Sequence, residues 1–564
     1  MKQLFFTGLL ILFLAGCTNN VQEPEPTSYP HLQQRDGHAT CFVIDGEPML
    51  LLAGELLNST GSYPGRLDEI LAEMKAAHYN TALIAISWQM IEQKEDSFDF
   101  SYVDDMLSIA RKNNMKVGLL WFGSWKNGIS PYAPSWVLGD TKRFERVRSA
   151  EGENTQTLSV FCQNTMEADA KAFSKLINYV AKKDLDRTVI TVQVENEIGV
   201  LGQSRDFSEK ANTAFAAEVP DLLIDYLVKN KNTLEQELLE KWEENGLKES
   251  GTWGEVFGDN LLTDLFFMAW HYSRFVNYVA EKGKQIYPLP MFANCWMSPR
   301  RPQPVVPGKF PSGGPVIQVV DIWKAGAPNI DFLSPDIYDN QAFHVRAKNF
   351  HRPDNPLFIP EMHMNEGRAT YVFAEHDAMG ISPFGLDGHA GIVTNEYEFL
   401  EMMMPVILEN QGTGKMRGFM RWTPEDESQE FKFDDDITIV IDFNKRRQWT
   451  ADRNETELRL PPAYGLLILT GDNEFIVGGL NVYVSAKSTN PDKEVWLNNV
   501  REGFFDENGE WKQLGIRNGD EAGFLSFDTP HYSVGKFQGY YQGAVGSTTI
   551  PAAFKFEVIK YDKE

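Results

Sequence analysis

Between residues 39 and 412, short apolar runs alternate with amphipathic stretches eight times, and this alternation constrains the fold more than any other feature. The runs are MLLLAGEL (49–56), NTALIAISW (80–88), KVGLLWFG (116–123), TVITVQVE (188–195), PMFANCW (290–296), IDFLSPD (330–336), PLFIPE (356–361) and GISPFG (380–385). Leu67, Ile70, Leu71, Met74 and Ala77 recur at helical spacing after the first run. Val103, Met106, Leu107 and Ala110 do so after the second, and Phe173, Leu176, Ile177, Val180 and Ala181 after the third. A last helix is expected near 396–409. Strands without polar alternation are buried on both faces, which is the pattern of a parallel sheet covered by helices. Eight such units predict an α/β fold, a (β/α)8 TIM barrel. A doubly wound open sheet is the alternative, but the G-x-G-x-x-G turn expected after its first strand is absent. An insertion at about 200–256, with the helical stretch LEQELLEKWEENG, separates the fourth and fifth runs, and a connection that long is usually functional.

After Gly412 the helical period disappears. ITIVIDF, YGLLILTG, EFIVGGLNVYVS, GFLSF, FQGYYQG and AFKFEVIKY are short β-rich runs punctuated by Gly, Asn and Asp, so 413–564 is expected to be an all-β sandwich. The 564 residues exceed one ordinary core, and 42% hydrophobic content suffices for two. A formal net charge of -26 without a basic cluster excludes nucleic acid as a partner. The opening MKQLFFTGLLILFLAGC reads as a signal peptide over 1–16, too short and wrongly flanked to span a bilayer. Its end, LAGC, resembles the lipobox of bacterial lipoproteins, which implies cleavage before Cys17 and lipidation of its sulfur. Thr18 rather than Asp follows, so the expected location is the cell envelope, as an outer-membrane lipoprotein of a Gram-negative bacterium. Residues 17–38 are expected to be a polar tether. Cys41, Cys162 and Cys295 are widely spaced and odd in number, so buried free thiols are expected. The histidines form no H-E-x-x-H, and neither a metal nor a cofactor is expected.

A barrel places its chemistry at the carboxyl ends of its strands. The fourth run ends in Glu195-Asn196-Glu197 and the seventh in Glu361. Glutamates on strands four and seven would face one another across the barrel mouth. Glycosidic hydrolysis needs such a pair, one carboxylic acid to protonate the leaving oxygen and one carboxylate at the anomeric carbon. Burial and a neighbouring charge can raise a glutamate from its reference pKa of about 4.3 to suit the acid role.

The stretch QVENEIG (193–199) resembles the acid/base signature of clan A glycoside hydrolases, most closely family thirty-five, the β-galactosidases; Ile198 departs from its usual aromatic. LLWFGSWKNGISPYAPSWV (119–137) and GISPFGLDG (380–388) are similar to the branch of that family with an extra C-terminal β domain. The resemblance implies that Glu197 is the proton donor, Asn196 holds the sugar 2-hydroxyl, Glu361 is the nucleophile and Tyr338 hydrogen-bonds it. It implies a retaining enzyme acting on terminal β-galactose, with a carbohydrate as partner. Glu195 is expected to be structural, and Glu92 matches a family position but equally suits an ion pair. Trp121, Trp125, Trp136 and Trp296 lie near expected strand ends, where they would stack on a sugar or pack in the core; Asn127 and Glu55 are candidates to bind hydroxyls. Rival readings are a non-catalytic glycan-binding lipoprotein, a structural adhesin, and a glycosidase for another sugar such as α-L-arabinopyranose.

Overall fold

The computed structural model describes residues 29–433, 436–443, 462–506, 508–517, 525–526 and 552–563. The signal peptide, Cys17 and the run FQGYYQG lie outside the described residues. Eight parallel strands form the barrel: β1 (Leu51–Glu55), β2 (Thr81–Ser87), β3 (Lys116–Lys126), β4 (Val189–Asn196), β5 (Met291–Trp296), β6 (Phe332–Asp336), β7 (Phe358–Ile359) and β8 (Gly380–Ile381). Their order is β6-β5-β4-β3-β2-β1-β8-β7. The seam between β6 and β7 closes without a ladder. The Asn355 side chain donates to Leu333 O (2.9 Å) and accepts from Leu333 N (2.8 Å), as a strand backbone would. Farther up, Ile337 N donates to the carbonyl of Glu361 (2.9 Å).

One main helix follows each strand: α1 (Pro64–Ala76), α2 (Ser101–Lys112), α3 (Gln163–Lys183), α4 (Leu261–Lys284), α5 (Val320–Gly326), α6 (Phe343–Phe350), α7 (Arg368–Glu375) and α8 (Thr394–Asn410). The insertion after β4 carries four short helices, Glu209–Phe215, Asp221–Asn230, Gln236–Glu244 and Trp253–Phe257. The last is started by a reciprocal capping box between Thr252 and Glu255.

The barrel interior explains where a site can form. Leu51, Ala53, Leu83, Ala85, Leu120, Phe122, Ile190, Phe292, Phe332, Phe358 and Met379 share one buried cluster, and Phe42 and Ile44 of an N-terminal hairpin plug it from below. Inward side chains repeat every second residue. Continuing three of these rows toward the carboxyl ends gives Leu51, Ala53, Glu55 on β1, Phe292, Asn294, Trp296 on β5 and Phe332, Ser334, Asp336 on β6. Each row carries its polar residues toward the carboxyl end, at Glu55, Asn294, and Ser334 and Asp336, so the polar inward groups gather at one mouth.

The expected tether is shorter than its composition suggested. His31–Gln34 pairs antiparallel with Thr40–Ile44, and the Tyr29 ring packs edge-on against Tyr287. Polar side chains did not signal this strand because its partner supplies the apolar contacts.

Beyond α8 the chain is all β. A sheet of β9 (Met416–Met420), β12 (Tyr464–Gly471), β13 (Glu474–Leu480), β18 (Ala552–Asp562), β15 (Lys493–Phe505) and β16 (Trp511–Ile516), in that order, faces a smaller sheet. The smaller one is β10 (Ser428–Lys432), β11 (Thr438–Asp442), β14 (Tyr483–Lys487) and β17 (Leu525–Ser526). Phe419, Ile439, Leu467, Val477, Val484 and Phe554 fill the space between them. On β12 the alternation serves two cores: Leu467 points into the sandwich, while Tyr464, Leu466 and Ile468 join the buried cluster of the barrel helices.

Candidate active site

The strand-four terminus is built by irregular backbone. Glu195 and Glu197 both have positive φ (66° and 42°), and Gly199 follows at 138°. Left-handed glutamates are uncommon and persist only where surrounding contacts hold them. Those contacts are visible. Glu197 N donates to Asn294 Oδ1 (3.0 Å), and the turn after β3 donates from Gly128 N to Glu197 O (3.0 Å) and from Asn127 N to Asn196 O (3.3 Å).

The result brings Glu197 and Glu361 together, at 6% and 5% exposure. One carboxyl oxygen from each of Glu197, Asp336 and Glu361 lies within 4.8 Å of the others. Tyr338 Oη donates to Glu361 Oε2 (2.7 Å), and Asn196 Nδ2 to Glu361 Oε1 (3.3 Å). Lys126 Nζ donates to Asn196 Oδ1 (2.8 Å) and lies over the Phe122 ring, a cation set among acids. Asn294 Nδ2 donates to Asp336 Oδ2 (2.8 Å). Glu55 is buried with both carboxyl oxygens unpartnered by protein.

Electrostatics divides these acids into roles. Burial, then the Glu361 charge, raises Glu197 to about 7, with Lys126 and a hydrogen bond from Asp336 opposing. Burial followed by Glu361 also raises Glu55 and Asp336 well above the ordinary carboxyl range. A buried cluster of carboxyls cannot all ionise, so the neutral ones become proton donors. Glu197, Asp336 and Glu361 are spaced so that they could also hold a cation, and among the described residues no other group of three His, Cys, Asp or Glu has that spacing. Three donors aimed at Glu361, from Tyr338, Asn196 and, at 3.5 Å, Asn294 Nδ2, suit a carboxylate facing a substrate.

The remaining candidates divide. Trp296 ends β5 beside Asp336 with 40% exposure, and Asn127 is exposed in the turn after β3, both at the mouth. Trp121 and Trp125 are corrections. Both are fully buried; the Trp121 indole donates to Asp169 Oδ1 (2.9 Å), and the Trp125 indole donates to Leu158 O (3.0 Å) between Tyr272 and Phe275. They pack behind the strand and present no face to a sugar. Trp136 donates to Glu92 O (3.1 Å), while Glu92 accepts from Trp88 Nε1 and Asp96 N, so both serve the structure. Cys41, Cys162 and Cys295 are buried and free. Asp336, Asn294 and Lys126 escaped the sequence reading, although counting by twos from Phe332 and Phe292 finds the first two.

The fold and this arrangement of carboxyls define a class: a (β/α)8 barrel with a buried carboxyl cluster at the carboxyl ends of its strands. Residues 63–277 match the family model described as Beta-galactosidase, glycoside hydrolase family 42. Residues 393–527 match a domain of unknown function, DUF5597. No curated protein sequence matches the chain. Among solved structures, the β-galactosidase from Bacillus circulans sp. alkalophilus is 15% identical with TM-score 0.40, covering 60% of this chain and 50% of its own. That from Rahnella sp. R3 is 17% identical with TM-score 0.40, again covering 60% and 50%. The catalytic domain of the β-amylase from Paenibacillus polymyxa is 12% identical with TM-score 0.42, covering 60% and 94%. The chain thus spans half the length of these two β-galactosidases.

Proposed function

We propose that the chain is a retaining, exo-acting β-galactosidase, close to family thirty-five. It removes terminal non-reducing β-galactose from oligo- or polysaccharide side chains such as galactosylated xyloglucan or pectic glycans. The observation that carries this reading is the approach of Glu197 and Glu361 carboxyl oxygens to within 4.8 Å. Retaining pairs stand about 5–5.5 Å apart and inverting pairs about 6.5–9.5 Å, because inversion must leave room for water.

Glu361, ionised and held by Tyr338 and Asn196, attacks the anomeric carbon. Glu197, which burial and the Glu361 charge keep protonated below about pH 7, gives its proton to the departing glycosidic oxygen. The released aglycone leaves room for water. Glu197, now ionised, takes a proton from that water as it attacks the same carbon and frees Glu361. The near-complete burial of both acids favours a pocket that admits a chain end. Trp296 supplies an apolar face at the rim, and Glu55 a polar group for a ring hydroxyl. Anchored through lipid on Cys17, the enzyme would work at the outer membrane.

Nitrophenyl glycosides and proton NMR test the reading. Hydrolysis of β-galactoside with the β-anomer appearing first is expected, at a higher rate than for α-L-arabinopyranoside. First appearance of the α-anomer would refute retention, and inertness toward every glycoside would leave a binding protein.

A further inference from the structure

Glu195 and Asp169, on α3, lie behind the pocket and take no part in the proposed reaction, yet both are wholly buried acids. Their carboxyls meet around the irregular end of β3. Ser124 N donates both to Asp169 Oδ2 (2.9 Å) and to Glu195 Oε1 (3.2 Å). Trp125 N donates to Glu195 Oε2 (2.8 Å). Asp169 also accepts from Trp121 Nε1 and Ser124 Oγ. Two wholly buried carboxylates sharing one N–H cannot both be charged. The donors locate the proton. Asp169 accepts on both oxygens from three donors, whereas Glu195 accepts only two backbone N–H groups and has Oε1 turned to Asp169.

We propose that Glu195 and Asp169 form a carboxylic acid–carboxylate pair, with the proton on Glu195, that fixes the end of β4 and so aims Glu197 at the glycosidic oxygen. The inference rests on the reading of Glu197 as proton donor. Burial raises both groups, and Glu195 further, in keeping with this placement. The pair explains how Glu195 holds φ 66° two residues before Glu197, at φ 42°. It explains Gly123 as well. A Cβ there would crowd Trp121 Nε1 and stand 2.6 Å from Glu195 Oε1 and 2.8 Å from Asp169 Oδ1. The other titratable group facing Glu195 is the Tyr272 hydroxyl on α4, which burial keeps neutral.

Glu195 and Asp169 are positioning residues, so the test reads proton delivery and not activity alone. The full-length protein and its variants are assayed for kcat/KM on 2,4-dinitrophenyl β-galactoside, whose aglycone leaves unaided, and on methyl β-galactoside, whose aglycone needs a proton. Glu195→Gln keeps an N–H toward Asp169 and an oxygen toward Trp125 N. It gives up only the longer contact from Ser124 N, which keeps its bond to Asp169 Oδ2, and stays within about threefold of the parent on both. Asp169→Asn turns a donor toward donors, and Gly123→Ala wedges the pair apart. Each loses about 10²-fold on the methyl glycoside, the cost of an ångström of misplacement, and little on the dinitrophenyl one. If Asp169→Asn does not fold, Glu195→Gln and Gly123→Ala still decide. A Glu195→Gln loss as large as that of Gly123→Ala overturns the proton assignment. Uniform losses on both aglycones, or none, overturn the positioning role. Glu197→Ala is the reference. If it shows no dependence on the aglycone, the fault lies in the proton-donor reading itself.

Discussion

At the scale of single residues, protonation and burial separate groups that look alike in sequence. As the proposed proton donor Glu197 must carry its proton to act, and its pKa lies at about 7, above the usual 4.5. Activity therefore stands on a plateau below pH 7 and falls about tenfold per unit above it, read from kcat/KM against pH. Glu197→Gln should lower kcat/KM on unactivated glycosides by about 10²–10⁴-fold and remove that alkaline limb. The tryptophans divide in the opposite sense. Trp121→Ala should cost about 3–5 kcal/mol in denaturant unfolding, because its ring fills core space. Trp296→Ala should raise KM several-fold and leave the unfolding midpoint unchanged, since two-fifths of its surface is open at the mouth. A tryptophan after an apolar run reads identically in both settings. Only the side of the strand it faces tells them apart, and the bulge in β3 between Trp121 and Lys126 shifts that side.

At the scale of elements, the apolar runs made all eight strands legible, because parallel strands buried on both faces leave no polar alternation to confuse them. Their ends were less legible. β7 and β8 are two-residue ladders where runs of six residues were expected, since Pro360 and Pro383 offer no N–H to extend them. The Glu361 loop is instead held by contacts distant in sequence. Glu396 of α8 caps the start of α7, accepting from Gly367 N (2.7 Å), Thr370 N (2.8 Å) and Thr370 Oγ1 (2.9 Å). Glu396→Ala should destabilise by about 1–3 kcal/mol, measured by urea unfolding. The pair Glu197 and Glu361 was readable from strand order and motif. Asp169 was not, because an acid in the first turns of a helix reads as solvated until its burial is seen.

At the scale of the whole molecule, the barrel and the β sandwich share a core. Tyr464, Leu466 and Ile468 of β12 pack with the barrel helices, and Tyr464 Oη donates to Glu366 Oε1 (3.0 Å), five residues beyond Glu361. The two parts should therefore unfold in one calorimetric transition, and Leu466→Ala should lower it by the equivalent of about 2–5 kcal/mol without splitting it. Two separate transitions would contradict the shared core. The sandwich thus packs against the strand-seven side of the mouth, and the proposed chemistry belongs to the barrel. The most direct measurement of that chemistry is to trap the protein with an activated 2-deoxy-2-fluoro-β-galactoside and locate the adduct by peptide mass spectrometry. The account predicts one fluorogalactosyl group, esterified to Glu361. An adduct on any other residue, or sustained hydrolysis with no adduct, would contradict it.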